Sequence, residues 1–262
     1  MRRVIFGAGY VGARAAALAA ARGDEVLATV RSAANASRLE GKGFTVTTAS
    51  VLEVAAGLSM AGLHAIICFP PDGETDAQLA RLITGAAAIS YVSSTGVYGE
   101  LSGVIDDTTV LPPVATPSQA QRLAAEAAYR AVGGTVLRAP GIYGPDRGLH
   151  VRVVSGVHRL PGDGAGTLSR IHADDLAALL LASAQVRGET FVVGDLEPAP
   201  QREVVAWICN EYGCPMPPSV PPGEVHESLR RDRKVDGSRA LARLGVTLRV
   251  PTFKLGMRRT PA

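Results

Sequence analysis

The chain has 262 residues, 47% of them hydrophobic and 19% charged, with a formal net charge of +3. That is enough apolar material for one large core, too little basic excess for a nucleic-acid partner, and no uninterrupted apolar run reaches the roughly 18 residues of a membrane span. The three cysteines, Cys68, Cys209 and Cys214, lack C-x-x-C spacing and a histidine cluster, which excludes a disulfide scaffold, gives no metal site and fits a reduced, cytoplasmic protein.

The first predicted element is the most informative. Val4–Phe6 is a short apolar run, and directly after it Gly7, Gly9 and Gly12 fall at G-x-G-x-x-G spacing, with Tyr10 and Val11 between them. Gly7 lets the chain turn sharply out of a strand, Gly9 lets backbone approach a pyrophosphate, and Gly12 lets the next helix pack tightly on the sheet. The spacing predicts a helix over Val11–Arg22, stopped by Gly23-Asp24, and then a buried parallel strand over Glu25–Val30. Arg2-Arg3 and Ala19-Ala20-Ala21 superficially frame a secretion leader, but Arg14 and the glycines interrupt its apolar stretch. The unit is therefore read as a dinucleotide cradle, with phosphates at a helix N-terminus where free N–H groups favour an anion. About twenty residues on, where an NAD site carries an acid for the ribose 2′-hydroxyl, stand Arg31 and Ser32. A guanidinium fork with a hydroxyl beside it suits a 2′-phosphate, so NADP is expected rather than NAD.

Strand-like runs continue at Phe44–Thr48, Ala65–Phe69, Ala88–Ser93, Thr135–Arg138 and Thr190–Val193, alternating with helical stretches at Asp76–Thr84, Ser118–Ala131, Ala173–Ala184 and Arg202–Tyr212. This alternation predicts an α/β fold, a Rossmann-type doubly wound parallel sheet. Pro215–Gly223 is too rich in proline for regular structure, and the basic run Arg230–Lys234 reads as a solvated face. The expected division is a dinucleotide-binding domain over residues 1–194 and a small C-terminal substrate cap over 195–262, packed on the first part and not independent. In such a sheet the ligand lies beyond the carboxyl ends of the strands. Phe69-Pro70, Ser93 to Gly99 and Arg138 to Pro145 occupy such ends, and Tyr98 and Tyr143 are expected to line the pocket.

Four segments, Gly7 to Gly12, Val92 to Gly99, Leu137 to Pro145 and Arg170 to Leu176, resemble in order those of the extended short-chain dehydrogenase/reductase superfamily, the group that includes the NAD(P)-dependent epimerase/dehydratases. The resemblance implies a catalytic role for Ser94, a cofactor-side position for Ser93, Pro140 and Ile142 beside the nicotinamide, and Phe69-Pro70 on the turn that covers the cofactor. It also exposes a departure. Where the superfamily carries Tyr-x-x-x-Lys, this chain has Ser118 and Arg122, ahead of Glu126.

Chemistry gives that departure its weight. A serine hydroxyl is a far weaker acid than a tyrosine lowered by a neighbouring lysine. Arg122 can bind a ribose but cannot release a proton in the working range. Tyr129 lies about three turns beyond Ser118, roughly 16 Å along a helix, so Tyr98, Tyr143, His150 and His172 are the remaining proton-transfer candidates, with His172 better suited to capping the helix after it. The expected function is NADP-dependent reduction of a carbonyl, imine or related group on a small organic substrate, in a protein compatible with a homodimer. A sugar-nucleotide epimerase or dehydratase and a non-catalytic NADP-binding redox sensor are the alternatives.

Overall fold

The computed structural model describes residues 1–259. Its centre is a seven-stranded sheet made of β1 (Arg2–Phe6), β2 (Glu25–Thr29), β3 (Thr45–Thr47), β4 (Leu63–Ile67), β5 (Ala88–Ser94), β6 (Thr135–Ala139) and β7 (Thr190–Val192). The order is β7-β6-β5-β4-β1-β2-β3 with every pairing parallel, so the direction of winding reverses between β1 and β4. β4 is buried along its whole length, as a strand covered on both faces must be.

Helices α1 (Tyr10–Ala21), α2 (Ala33–Leu39), α3 (Val51–Ala56), α4 (Thr75–Leu82), α5 (Pro117–Ala131), α6 (Leu149–Val154), α7 (Ala173–Ala182), α8 (Gln201–Tyr212), α9 (Ser238–Leu244) and α10 (Phe253–Gly256) accompany the central sheet, together with short two-stranded pairings and 3-10 turns outside it. One sheet face packs on α1, α7 and α9 through Ala15, Ala16, Ala19, Leu176, Leu180 and Leu244. Small side chains on α1 let it lie close to α7. The other face packs on α4 and α5 through Leu79, Ala125 and Tyr129. A further apolar cluster joins Tyr143, Val153 and Leu160 to Val204, Ile208, Phe253 and Met257, so the part above the sheet draws on two stretches of chain. Among the described residues, no helix is long and apolar enough to cross a membrane.

Two expectations need correction. The proline-rich segment does hold regular structure: Ser219–Val220 pairs in parallel with Leu160–Pro161, and Pro222–Glu224 forms a 3-10 turn. Prolines survive there because the pairing is only two residues long and lies at an edge. The run Arg230–Lys234 is not solvated throughout, since Arg233–Val235 pairs with Gly103–Ile105 and Arg233 is 4% exposed.

Candidate active site

At the reversal point β1 ends in Phe6 and the chain turns through Gly7 at φ +89°, where a Cβ would meet the backbone N and the Cβ of Phe69 at 3.0 Å. Only glycine lets the ends of β1 and β4 approach this closely. A Cβ at Gly12 would stand 2.4 Å from the Gly7 carbonyl oxygen, whereas one at Gly9 meets nothing within 4 Å. The three glycines thus have three different surroundings: turn, open approach and tight helix packing. Helix α1 starts with no side-chain cap and no acid in its first turn, which leaves its first amides to an anion.

The cradle continues into a cavity of about 510 Å³ that Gly7, Thr29, Arg31, Ser50, Phe69 and Pro70 help to line. Two carboxylates reach it, and both are tied locally. Glu53 accepts from the Ser50 N–H at 2.9 Å, and Asp72 accepts from the Thr75 hydroxyl at 2.6 Å. Arg31 is exposed on its wall. Ser32 accepts from the Asn35 N–H at 3.3 Å as the cap of α2, so its O–H remains free to donate.

A second cavity, of about 290 Å³, lies beyond the ends of β5 and β6 and is lined in part by Ser94, Thr95, Pro140, Ile142 and Tyr143. Ser94 is the last residue of β5, and its Oγ accepts from the Gly96 N–H at 3.0 Å. With that lone pair used, the hydroxyl hydrogen is free to point at a ligand. The turn after Ser94 is held from three directions. Gln119 donates to the Val97 carbonyl at 2.8 Å, Val97 and Tyr98 pack on Ile105 and Val235, and Arg233 donates to the carbonyls of Thr95 at 2.7 Å, Leu101 at 2.6 Å and Gly99. Beneath it, Glu126 accepts from Ser93 at 2.5 Å and from Arg138 at 2.7 Å. Both charged groups are buried, so the pair ties α5, β5 and β6 together at the base of the site.

The structure separates the expected site residues. Ser94, Pro140, Ile142 and Tyr143 meet at the second cavity; Gly7, Arg31, Phe69 and Pro70 meet at the first. Tyr10 reaches from the glycine turn to Asp146, donating at 2.7 Å, and Val11 is buried in the α1 core. Tyr98 does not reach the cavity: it is fully buried, its hydroxyl takes a hydrogen bond from Arg138 at 3.0 Å, and burial raises its pKa. Ser118 is exposed on the first turn of α5, and Arg122, half-buried one turn on beside Tyr91, also lies off the cavity wall. The Tyr129 hydroxyl donates to Asp76 at 2.8 Å within the buried cluster under α4 and α5, and Tyr129 lines neither cavity.

Of the histidines, His172 accepts from the Asp174 N–H at 3.3 Å as the cap of α7, and buried His150 contacts the Pro145 carbonyl. Burial lowers the pKa of both. Sequence reasoning missed the cations of the second cavity, Arg152, Arg170, Arg231 and Arg233. It also missed Asp195, whose carboxyl is raised to about 7 by burial although Arg170 pulls it down.

No protein-family model matches the chain. A 3-diazoavenalumate denitrifying reductase from a Streptomyces species is 35% identical over 98 residues, 34% of this chain and 32% of that protein. The match thus spans about a third of that reductase's length. A functionally unknown conserved protein from Silicibacter pomeroyi DSS superposes with a TM-score of 0.81 at 28% identity, covering 98% of this chain and 96% of that one. UDP-glucuronic acid 4-epimerase from Bacillus cereus, in complex with NAD, superposes with a TM-score of 0.78 at 17% identity, again over 98% and 96%.

Proposed function

We propose that this chain, which has the fold of the NAD-dependent epimerase/dehydratase-like proteins of the extended short-chain dehydrogenase/reductase superfamily, is an NADP-dependent oxidoreductase that reduces a carbonyl, imine or related group of a small organic substrate. The observation that carries this reading is Ser94, which stands on a ligand-sized cavity beyond the strand ends with its hydroxyl hydrogen free to donate. The dinucleotide, when bound, supplies the hydride.

The residues present fit such a group. Gly7, Gly9 and Gly12 with the open amides of α1 receive the pyrophosphate and Arg31 and Ser32 the 2′-phosphate, while Pro140 and Ile142 close on the ring; Arg122, turned to Tyr91 and off both cavity walls, would have to swing out to reach the nicotinamide ribose. Ser94 donates to the substrate atom that gains charge, a position where one preorganised donor contributes roughly a hundredfold in rate. Among the described residues, the lining of the second cavity includes no histidine, aspartate or glutamate. The phenol on the wall, Tyr143, donates to the Thr252 carbonyl at 3.3 Å and is made a weaker acid by burial, so in this reading the product's proton comes from solvent.

The same composition weighs against an epimerase or dehydratase, which begins by removing a proton from an alcohol. Tyr143 is the one phenol on the wall, and burial pushes it further from ionisation. The missing Tyr-x-x-x-Lys favours one further reading, a redox sensor that holds NADP without turnover. Cofactor choice is tested by calorimetry with NADPH and NADH on wild type and Arg31→Ala. Loss of a charged bidentate contact should weaken NADPH roughly thirtyfold, about 2 kcal/mol, with NADH nearly unchanged. Equal weakening of both dinucleotides, or tighter NADH binding by the wild type, would contradict the assignment.

A further inference from the structure

We infer that the substrate carries a carboxylate, received by Arg231 and Arg152 at the second cavity; the inference rests on the oxidoreductase reading of that site. Among the described residues, the lining of this cavity includes four arginines and no acid. Two of the four are already committed. Arg233 spends its donors on three carbonyls of the Ser94 turn, and Arg170 donates to the carbonyls of Leu168 at 2.8 Å and Glu197 at 3.4 Å.

The other two have donors to spare. Arg231 is tied on one edge, where Nη2 donates to Glu227 at 2.9 Å; its Nε is buried without a partner. Its Nη1 comes within 4.0 Å of where a Gly96 side chain would begin, so the guanidinium reaches the turn that carries Ser94. Glu227 is 43% exposed and only partly offsets that charge, because exposed ion pairs are weak and screened. Arg152, on the exposed side of α6, reaches the same cavity, and among the described residues its guanidinium has no hydrogen-bond or ion-pair partner.

A buried guanidinium N–H without an acceptor is unfavourable until an anion satisfies it, and the arginine fork matches a carboxylate's two oxygens. The same wall also carries the apolar side chains Ile142, Leu149, Leu168, Leu229 and Met257. That combination fits an acid with a hydrophobic body, its charged end on the arginines and its reacting atom at Ser94. A cavity of about 290 Å³ lies at the lower edge of the usual range for ligand sites, which favours a small carboxylic acid over a phosphate-bearing sugar nucleotide.

The test is calorimetry with benzoate, cinnamate and hexanoate at up to millimolar concentration, alongside cinnamyl alcohol and UDP-glucose, on the full chain with and without saturating NADP⁺. At least one carboxylate should bind, and the alcohol should bind at least tenfold more weakly. Arg231→Gln and the surface variant Arg152→Gln should each weaken the carboxylate about tenfold, with NADP⁺ affinity unchanged. The proposal is overturned if no carboxylate binds, if the alcohol binds as well as the acid, if neither variant matters, or if only UDP-glucose binds. NADP⁺ is titrated separately, so its failure to bind would strike the oxidoreductase reading while the carboxylate titration still reports on the arginines.

Discussion

At the scale of single residues, Ser94 and Ser118 are chemically alike and placed oppositely. Ser94 closes a strand at the cavity with one lone pair held by a backbone amide, whereas Ser118 is exposed on the first turn of α5. Ser94→Ala should therefore lower kcat about a hundredfold with NADPH affinity retained, and Ser118→Ala by less than about tenfold, in steady-state assays on the enzyme's own substrate. A Ser118 variant as crippled as the Ser94 variant would mean that this serine does the missing tyrosine's work. The glycine turn and the place of Ser94 at a strand end were legible in the sequence because spacing and strand ends carry steric meaning, while the role given to Ser94 came from the resemblance. Tyr98 and Tyr143 were not told apart, since both follow strand ends with similar neighbours and only packing sends one beneath Arg138 and the other to the cavity. Arg231 and Arg233 read as solvated for a related reason: their burial depends on pairing Arg233–Val235 with Gly103–Ile105, a contact that local pattern cannot reveal.

At the scale of elements, the long strands and helices follow from their apolar patterns, while α2 and α3, of 7 and 6 residues, are too short for periodicity to mark. What fixes the site is where α5 meets the sheet. Glu126 and Arg138 are buried there, and removing the carboxylate leaves a guanidinium without its partner. Glu126→Ala should cost about 3–5 kcal/mol in denaturant unfolding; a loss under about 1 kcal/mol would show that the pair does not hold these elements together. We place the boundary between the dinucleotide-binding part and the cap at residue 194. The cap is not independent in this view, because Val204, Phe253 and Met257 share one apolar cluster with Tyr143 and Leu160.

At the scale of the whole molecule, the reversal of strand order between β1 and β4 sets the glycine turn against Phe69, and the second cavity opens beyond the neighbouring β5 and β6. Alternating strands and helices made that architecture legible. The pocket's charge was not, because its arginines come from α6, the strand after Ser169 and the Arg230–Lys234 run, which meet only once the chain is folded. The central claim is reduction by NADPH, and it is tested most directly by incubating the purified protein with NADPH deuterated at the nicotinamide C4 and a panel of carboxylated aldehydes, ketones and imines. The account predicts oxidation of NADPH with deuterium transferred to carbon in the product. Tight binding of NADPH with no turnover of any member of the panel would contradict it and support the sensor instead.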